Sequence, residues 1–359
     1  MNVAIFTPNK NPYSETFIQA HKLFLKDKVY YYYGRGNNIK LEGERPLKAF
    51  TDKLVKKMVS KEAPVWVRAV KRSLIKNKID VILVEYGTHA YHLLPLLKTI
   101  NIPFSVHFHG YDASVHNVIE KCDQYKDVFD IASKVFVVST VMEEKLIEIG
   151  CPRDILVNNT YGPNPKFDKV VPSFSKKQFI AVGRFTNKKA PYYTIFAFNK
   201  VLKKHPDAKL VMAGDGELLN SCKNIVRYLG ISENVDFVGV ISSDQYVSYL
   251  ENSLAFVQHS ITGENGDKEG TPLSILEASS AGLPVVSTFH AGIPDVIEHD
   301  KTGLLVQEHD VEKMGSYMIE LLNNKNYAID IGRAGKRHVR ENFSMERHIS
   351  KLQKVLEEL

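Results

Sequence analysis

Short runs of β-branched and aromatic residues alternate along the whole chain with longer helical stretches. In the first half the runs are VAIFTP (3–8), VYYYYG (29–34), DVILVEY (80–86), FSVHFHG (104–110), KVFVVST (134–140) and ILVNNTYG (155–162). In the second half they are QFIAVGR (178–184), KLVMAGDG (209–216), NVDFVGV (234–240), LAFVQHS (254–260), LPVVST (283–288) and TGLLV (302–306). Continuous apolar strands separated by helices imply parallel sheets covered on both faces. The runs fall into two sets, with a loop-like junction at 163–177 (PNPKFDKVVPSFSKK). The pattern therefore predicts an α/β chain of two doubly wound, Rossmann-like domains, 1–172 and 173–340, followed by a helical tail at 341–359. Ligands in such sheets bind beyond the carboxyl ends of the strands. Two domains facing each other would form a cleft lined by strand-end loops.

Composition narrows the class only a little. A length of 359 residues fits two domains, and 44% hydrophobic with 25% charged residues is ordinary for a water-soluble fold. Cys122, Cys151 and Cys222 are odd in number and far apart, which fits a reducing compartment better than a disulfide framework or a zinc site. The start, MNVAIFTPNK, reads as a strand rather than a secretion signal, and no apolar run is long enough to span a bilayer. A cytoplasmic location is expected.

Charge is uneven. Residues 1–172 hold 25 Lys and Arg against 18 Asp and Glu, a net of +7, and the remainder holds 22 against 23. Residues 40–78 alone carry 12 basic and 4 acidic side chains, a net of +8. Within them Phe50, Leu54 and Met58 recur at helical spacing among Lys53, Lys56, Lys57 and Lys61. Such a helix is either a solvated face packed on its own domain or a dock for an anionic membrane surface at the inner leaflet. No nucleic-acid recognition motif accompanies the charge, so that partner is not expected.

The candidate chemistry sits in strand-end loops. Glu269 and Glu277 flank Gly270, Thr271, Pro272 and Leu273, where Thr271 suits an N-cap and Pro272 a first helical position. A helix starting there directs free N–H groups and its positive end at an anion. Gly183 and Arg184 close the run QFIAVGR, and Lys189 follows; a glycine admits close approach while two cations can clamp a diphosphate. Taken alone this is equally an ordinary surface loop. Gly214 and Gly216 make a second glycine turn at the same sheet edge, a weak signal by itself. In the first half His107 and His109 point to one side of their strand, with Gly110 and Asp112 beyond. A neutral histidine there can take or position an acceptor proton. Ser14, Glu15 and Thr16 follow the first strand and either cap the next helix or line the acceptor side.

Together these residues resemble the retaining GT-B glycosyltransferases, specifically the large family four. The likeness is specific in the second half: Val182-Gly183-Arg184 with Lys189, the Gly214/Gly216 turn, Glu269-Gly270 through Glu277-Ala278, Gly282-Leu283-Pro284-Val285-Val286, and Gly292-Ile293-Pro294-Asp295. In the first half His109-Gly110-Tyr111-Asp112 and Ser14-Glu15-Thr16-Phe17-Ile18 resemble enzymes of bacterial exopolysaccharide and capsule assembly. The chain departs from the family in lacking a Gly-Gly loop after the first strand and in placing Ala190 and Ala291 where glycine is usual.

The resemblance implies a donor-binding second domain and an acceptor-binding first domain, with the C-terminal segment crossing back to the first. Arg184 and Lys189 would neutralise the departing nucleoside diphosphate, and the backbone of Gly270, Thr271, Pro272 and Leu273 would add to that. Glu277 would accept bonds from ribose hydroxyls, and Glu269 would sit by the transferred sugar. His109, with Ser14, Glu15, Thr16 and Asp112, would contact the sugar or acceptor. The donor would be a UDP- or GDP-sugar and the acceptor a saccharide or lipid-linked saccharide. No residue stands out as a carboxylate nucleophile of the kind retaining hydrolases use, so front-face substitution is expected. No two aspartates are separated by a single residue, so metal-independent transfer without a cofactor is expected. Two rivals remain for comparison. A dinucleotide-dependent oxidoreductase would need G-x-G-x-x-G after the first strand, where Thr7-Pro8-Asn9 stands. A non-catalytic sugar-nucleotide or membrane-binding module is the alternative.

Overall fold

All twelve apolar runs fold as strands, the central ones buried on both faces and the outer ones, such as Leu156–Asn158 and Val235–Gly239, only in part. The computed structural model describes residues 1–10, 15–44, 47 and 64–359. The first sheet holds β1 (Asn2–Thr7), β2 (Lys28–Tyr33), β3 (Lys40–Leu41), β4 (Val81–Glu85), β5 (Phe104–His107), β6 (Lys134–Val137) and β7 (Leu156–Asn158). Its order is β3-β2-β1-β4-β5-β6-β7. The central strands carry no polar face: Val3, Ala4, Ile5, Val81, Ile82, Leu83 and Val84 are all buried. Pairing is parallel throughout, except that β3 runs antiparallel to β2, Tyr32 opposite Leu41. This two-residue edge strand is the element the sequence pattern does not announce.

The second sheet is wholly parallel and contains β8 (Gln178–Val182), β9 (Lys209–Ala213), β10 (Val235–Gly239), β11 (Ala255–Val257), β12 (Val285–Thr288) and β13 (Leu304–Val306), in the order β10-β9-β8-β11-β12-β13. A core of Phe179, Ile195, Phe198, Leu210, Val257, Met314 and Met318 packs helices onto it. In both sheets the strand order reverses once, between β1 and β4 and between β8 and β11. A doubly wound sheet opens its ligand crevice at that reversal, outside the carboxyl ends.

The structure divides into two units, Met1–Asn159 with Ile349–Leu359, and Thr160–His348. Residues 160–172 therefore belong with the second unit, not the first, since Lys336 Nζ holds the carbonyl of Val170 at 3.1 Å and Arg340 pairs with Asp168 at 2.9 Å. The tail is not one helix from 341: Lys325–Asn342 ends and Met345–Glu357 begins anew after Phe343 and Ser344. Within the first unit Gln353 Oε1 accepts from the N–H of Lys26 at 3.2 Å, and Lys351 Nζ reaches the carbonyl of Asn158 at 2.6 Å. The basic helix expected around Phe50, Leu54 and Met58, with Lys53, Lys56, Lys57 and Lys61, lies outside the described residues, as does Ser14. Among the described residues no helix is long and apolar enough to cross a membrane.

Candidate functional site

In the second unit Gly183, Arg184, Lys189 and Glu269 gather beyond the ends of the paired strands β8 and β11, whereas Glu277 faces Lys166 and Tyr246 instead. Gly183 and Arg184 follow β8, Gln258 follows β11, and Lys189 closes the short turn Asn187–Lys189. Gly183, Arg184, Lys189, Thr194, Met212 and Gln258 are among the lining of one pocket. The glycines make this packing possible. A Cβ on Gly214, whose φ is +137°, would stand 2.0 Å from the carbonyl oxygen of Gly183, and one on Gly216 would stand 2.5 Å from that of Phe185. The Gly214/Gly216 turn thus nests against the Gly183–Phe185 loop from behind. Its role is to set that loop's position.

Lys189 Nζ lies 3.1 Å from Glu269 Oε1, and the two side chains are only 14% and 8% exposed. Burial alone would raise the Glu269 carboxyl, but the charges of Lys189 and Lys188 hold it down at about 2. Burial pulls the Lys189 ammonium down, and Glu269 opposes this. Lys188, buried itself, pins the preceding loop by pairing with Asp267 at 2.9 Å and donating to the carbonyl of Lys268 at 3.1 Å. The Glu269 N–H donates to His290 Nε2 at 3.1 Å, and His290 Nδ1 sits 2.6 Å from Glu308 Oε1. A nitrogen that accepts carries no proton, so His290 is the neutral Nδ1–H tautomer. Gln258 Oε1 accepts from Ser274 Oγ at 3.3 Å and from Lys189 Nζ at 3.4 Å. Gln258, His290, Glu308 and Lys188 were not expected from the sequence, where none stands in a spacing that marks it.

The helix beyond Glu269 spans Leu273–Ala281, one residue later than Thr271 and Pro272 suggested. Pro272 occupies the N-cap with ψ 114°, extended rather than helical, so the N-cap position is not Thr271 as expected. The N-cap, a proline, offers no side-chain bond to that turn, and the turn holds no acid, which leaves its positive end suited to an anion. Glu277 lies partly buried in the second turn. Burial pushes its carboxyl up to about 8, against the pull of Lys166. Ala190 (φ +34°, ψ 53°) and Ala291 (φ +46°) adopt the left-handed conformation that glycine would supply.

In the first unit His109 stands just past the end of β5, its side chain 3% exposed. Its ring packs against Phe17 at 4.5 Å and Tyr86 at 4.6 Å between centroids. Its Nε2 is 2.8 Å from Glu85 Oε2, and His21 Nδ1 is 2.7 Å from Glu85 Oε1. Glu85 is fully buried; burial raises its carboxyl, but His21 and His109 outweigh that and hold it near 2. An ionised carboxylate only accepts, so both ring nitrogens donate. His107 Nδ1 lies 3.2 Å from His109 Nδ1. Asp112 is placed otherwise than expected. It is buried, and its oxygens accept from the N–H groups of Gly87 at 2.9 Å, His109 at 3.0 Å and Gly110 at 3.0 Å. Three backbone bonds make it a clamp on the His109 loop, not a ligand contact. Glu15 holds the N-cap position of helix Thr16–Phe24 without capping it. Its Oε2 is buried without a hydrogen bond, and burial raises its carboxyl. One atom each from Glu85, His107 and His109 lie within 4.8 Å of one another, the one set among the described residues that could gather around a cation.

The Glycosyl transferases group 1 model matches residues 165–338. The match spans just under half of the chain. The chain is 27% identical over 286 residues to the amylovoran biosynthesis glycosyltransferase AmsK of Erwinia amylovora, covering 78% of this chain and 70% of that protein. It is 27% identical over 247 residues to the putative colanic acid biosynthesis glycosyltransferase WcaL of Escherichia coli K12, covering 66% and 60%. Among solved structures, Anabaena Alr3699/HepE in complex with UDP-glucose aligns over the whole of both chains with a TM-score of 0.80 at 15% identity. The sucrose-phosphate synthase of Thermosynechococcus elongatus aligns over 99% of this chain and 98% of its own with a TM-score of 0.77 at 17% identity. The two sheets and their helices are thus those of the GT-B glycosyltransferases.

Proposed function

We propose that this protein is a group 1 glycosyltransferase that moves a sugar from a nucleoside diphosphate sugar to a hydroxyl of a saccharide or lipid-linked saccharide, with retention and without a metal, in bacterial polysaccharide assembly. The observation that carries the donor half is the buried Lys189–Glu269 pair, with exposed Arg184 on the same loop as Lys189 and a helix start at Leu273 following Glu269. Lys189 and Arg184 supply fixed positive charge where the leaving diphosphate gains its negative charge, which is the largest single contribution such a site can make. Glu269 stays ionised and stabilises positive charge at the anomeric carbon, and Glu277 receives the ribose. The anomeric carbon–phosphate oxygen bond breaks as the new bond forms on the same face. The acceptor hydroxyl proton passes to the departing phosphate oxygen. His109, Glu15 and Thr16 belong to the acceptor side.

AmsK and WcaL are named for amylovoran and colanic acid biosynthesis, which supports the polysaccharide reading. HepE was solved with UDP-glucose, which favours a UDP-sugar donor. The enzyme works in the cytoplasm, and the basic residues 40–78 bring it to an anionic membrane where a lipid-linked acceptor resides. Titration calorimetry of the full chain with UDP, GDP and ADP, followed by turnover of the matching sugars, tests the reading. Binding of one nucleoside diphosphate with release of sugar supports it. No binding at millimolar concentration removes it, and binding without turnover favours the non-catalytic module.

A further inference from the structure

The first unit buries a carboxylate that no part of the donor chemistry uses. Glu85 ends β4, where the first sheet's order reverses, and none of its surface reaches solvent. Three histidines surround it from three directions: His21 from helix Thr16–Phe24, His107 from the end of β5, and His109 from the loop beyond. Each carboxylate oxygen is engaged, Oε1 with His21 at 2.7 Å and Oε2 with His109 at 2.8 Å, while His107 Nδ1 stands 3.9 Å away. A buried ion without partners would cost several kcal/mol, so this arrangement persists only because the imidazoles answer it. The separations distinguish protons from a metal. Two ligands of a tetrahedral zinc at about 2.0–2.1 Å stand roughly 3.3 Å apart. The 2.7 and 2.8 Å contacts are shorter and match charge-assisted hydrogen bonds.

We propose that Glu85 is the positioning residue of the acceptor side, fixing His109 with Nε2–H turned inward to the carboxylate and setting which edge and face of the ring the acceptor meets. The inference rests on the assignment of His109 to the acceptor side. Phe17 and Tyr86 pack the ring and Asp112 clamps the backbone that carries it, so Glu85 fixes the remaining freedom, rotation of the imidazole about its own axis. Substitution by glutamine has a defined consequence. A carboxylate accepts two N–H bonds at once, whereas an amide accepts on one side and donates on the other. In Glu85→Gln either His21 or His109 must therefore present a bare nitrogen instead of an N–H.

Two-bond proton–nitrogen NMR on the full chain with nitrogen-15 histidine, assigned through His21→Gln and His109→Gln, reads this without any substrate. The wild type should show hydrogen on His109 Nε2 and on His21 Nδ1, and Glu85→Gln should move one of them to its other nitrogen. A wild-type His109 with a bare Nε2 overturns the proposal even where the variant does not fold. So does loss of both N–H signals on adding one equivalent of Zn²⁺, which would make the cluster a metal centre. With the donor found by the calorimetric screen, Glu85→Gln should lower turnover about 10- to 100-fold while nucleotide affinity is kept. The double variant with His109→Ala should fall no further than the worse single. Losses that multiply overturn the positioning role. Failure of every nucleotide to bind refutes the donor assignment instead and leaves the NMR result intact.

Discussion

Glu277 offers the sharpest test of the donor assignment, because the same physics predicts opposite effects on stability and on binding. Its carboxyl is pushed up to about 8 by burial, from an ordinary value of 4.5. Folding therefore holds a proton that the unfolded chain releases, and stability falls as pH rises from 4.5 toward 8, then levels off. Each pH unit is worth about 1.4 kcal/mol, so the ceiling at pH 7 is about 3 kcal/mol. Residual solvent contact trims this to roughly 1–3 kcal/mol. Glu277→Gln keeps the shape and removes the titration. At about 2–4 °C per kcal/mol for a unit of this size, it should melt about 2–12 °C higher at pH 7, with the gap closing near pH 4.5. Nucleotide binding should show the reverse. Ribose hydroxyls donate to an ionised carboxylate, so binding at pH 7 should release about one proton, seen as a buffer-dependent enthalpy in calorimetry. Glu277→Gln should bind more weakly and release none. A variant that melts no higher than wild type at pH 7, or binds equally well with the same proton release, refutes the reasoning.

Lys189→Met should destabilise the second unit by about 3 kcal/mol in urea melts, since it strands buried Glu269; adding Glu269→Gln should recover much of that. Because Glu269 is held near 2, its contribution is complete above 4.5 and is lost as pH falls through that range toward 2, so the Lys189→Met/Glu269→Gln double variant should show a flatter acid melt than wild type. Ala291→Gly should stabilise by about 0.5–1 kcal/mol, as relief of a left-handed alanine (about 1–2 kcal/mol) exceeds the added unfolded-state entropy. Ala190 is fully buried, so Ala190→Gly also forfeits about 0.8 kcal/mol of methyl burial and should come out near zero; the reverse order in thermal melts would contradict this. His109→Ala should lower turnover and leave nucleotide affinity nearly unchanged in calorimetry.

The architecture was legible because parallel strands buried on both faces must be written as unbroken apolar runs. VAIFTP and DVILVEY could hardly have been anything else. The strand Lys40–Leu41 is too short to carry a pattern, and the helix start slipped by one residue because a proline at ψ 114° can precede a helix as well as open it. The residues proposed for the donor were picked out for a related reason: Gly183, Arg184, Lys189, Glu269 and Glu277 lie on loops and in a short helix whose local chemistry is visible in the chain. The groups that hold them are not. Gln258, His290 and Glu308 come from three separate stretches and acquire meaning only when the sheet sets β8 beside β11.

Glu85 and Glu277 show most plainly where local sequence stops informing. Both are acids inside apolar stretches, VILVEY and SILEASSA, Glu85 fully and Glu277 partly removed from water. Desolvation acts on them in the same direction, upward. Their outcomes diverge because two histidines, His21 and His109, reach Glu85, while only the distant charge of Lys166 reaches Glu277. One carboxylate is held ionised near 2 and organises its surroundings; the other is held neutral up to about 8 and waits for a partner. The difference is made by residues tens of positions away, and it separates a carboxylate already satisfied by the fold from one that a bound ribose would satisfy.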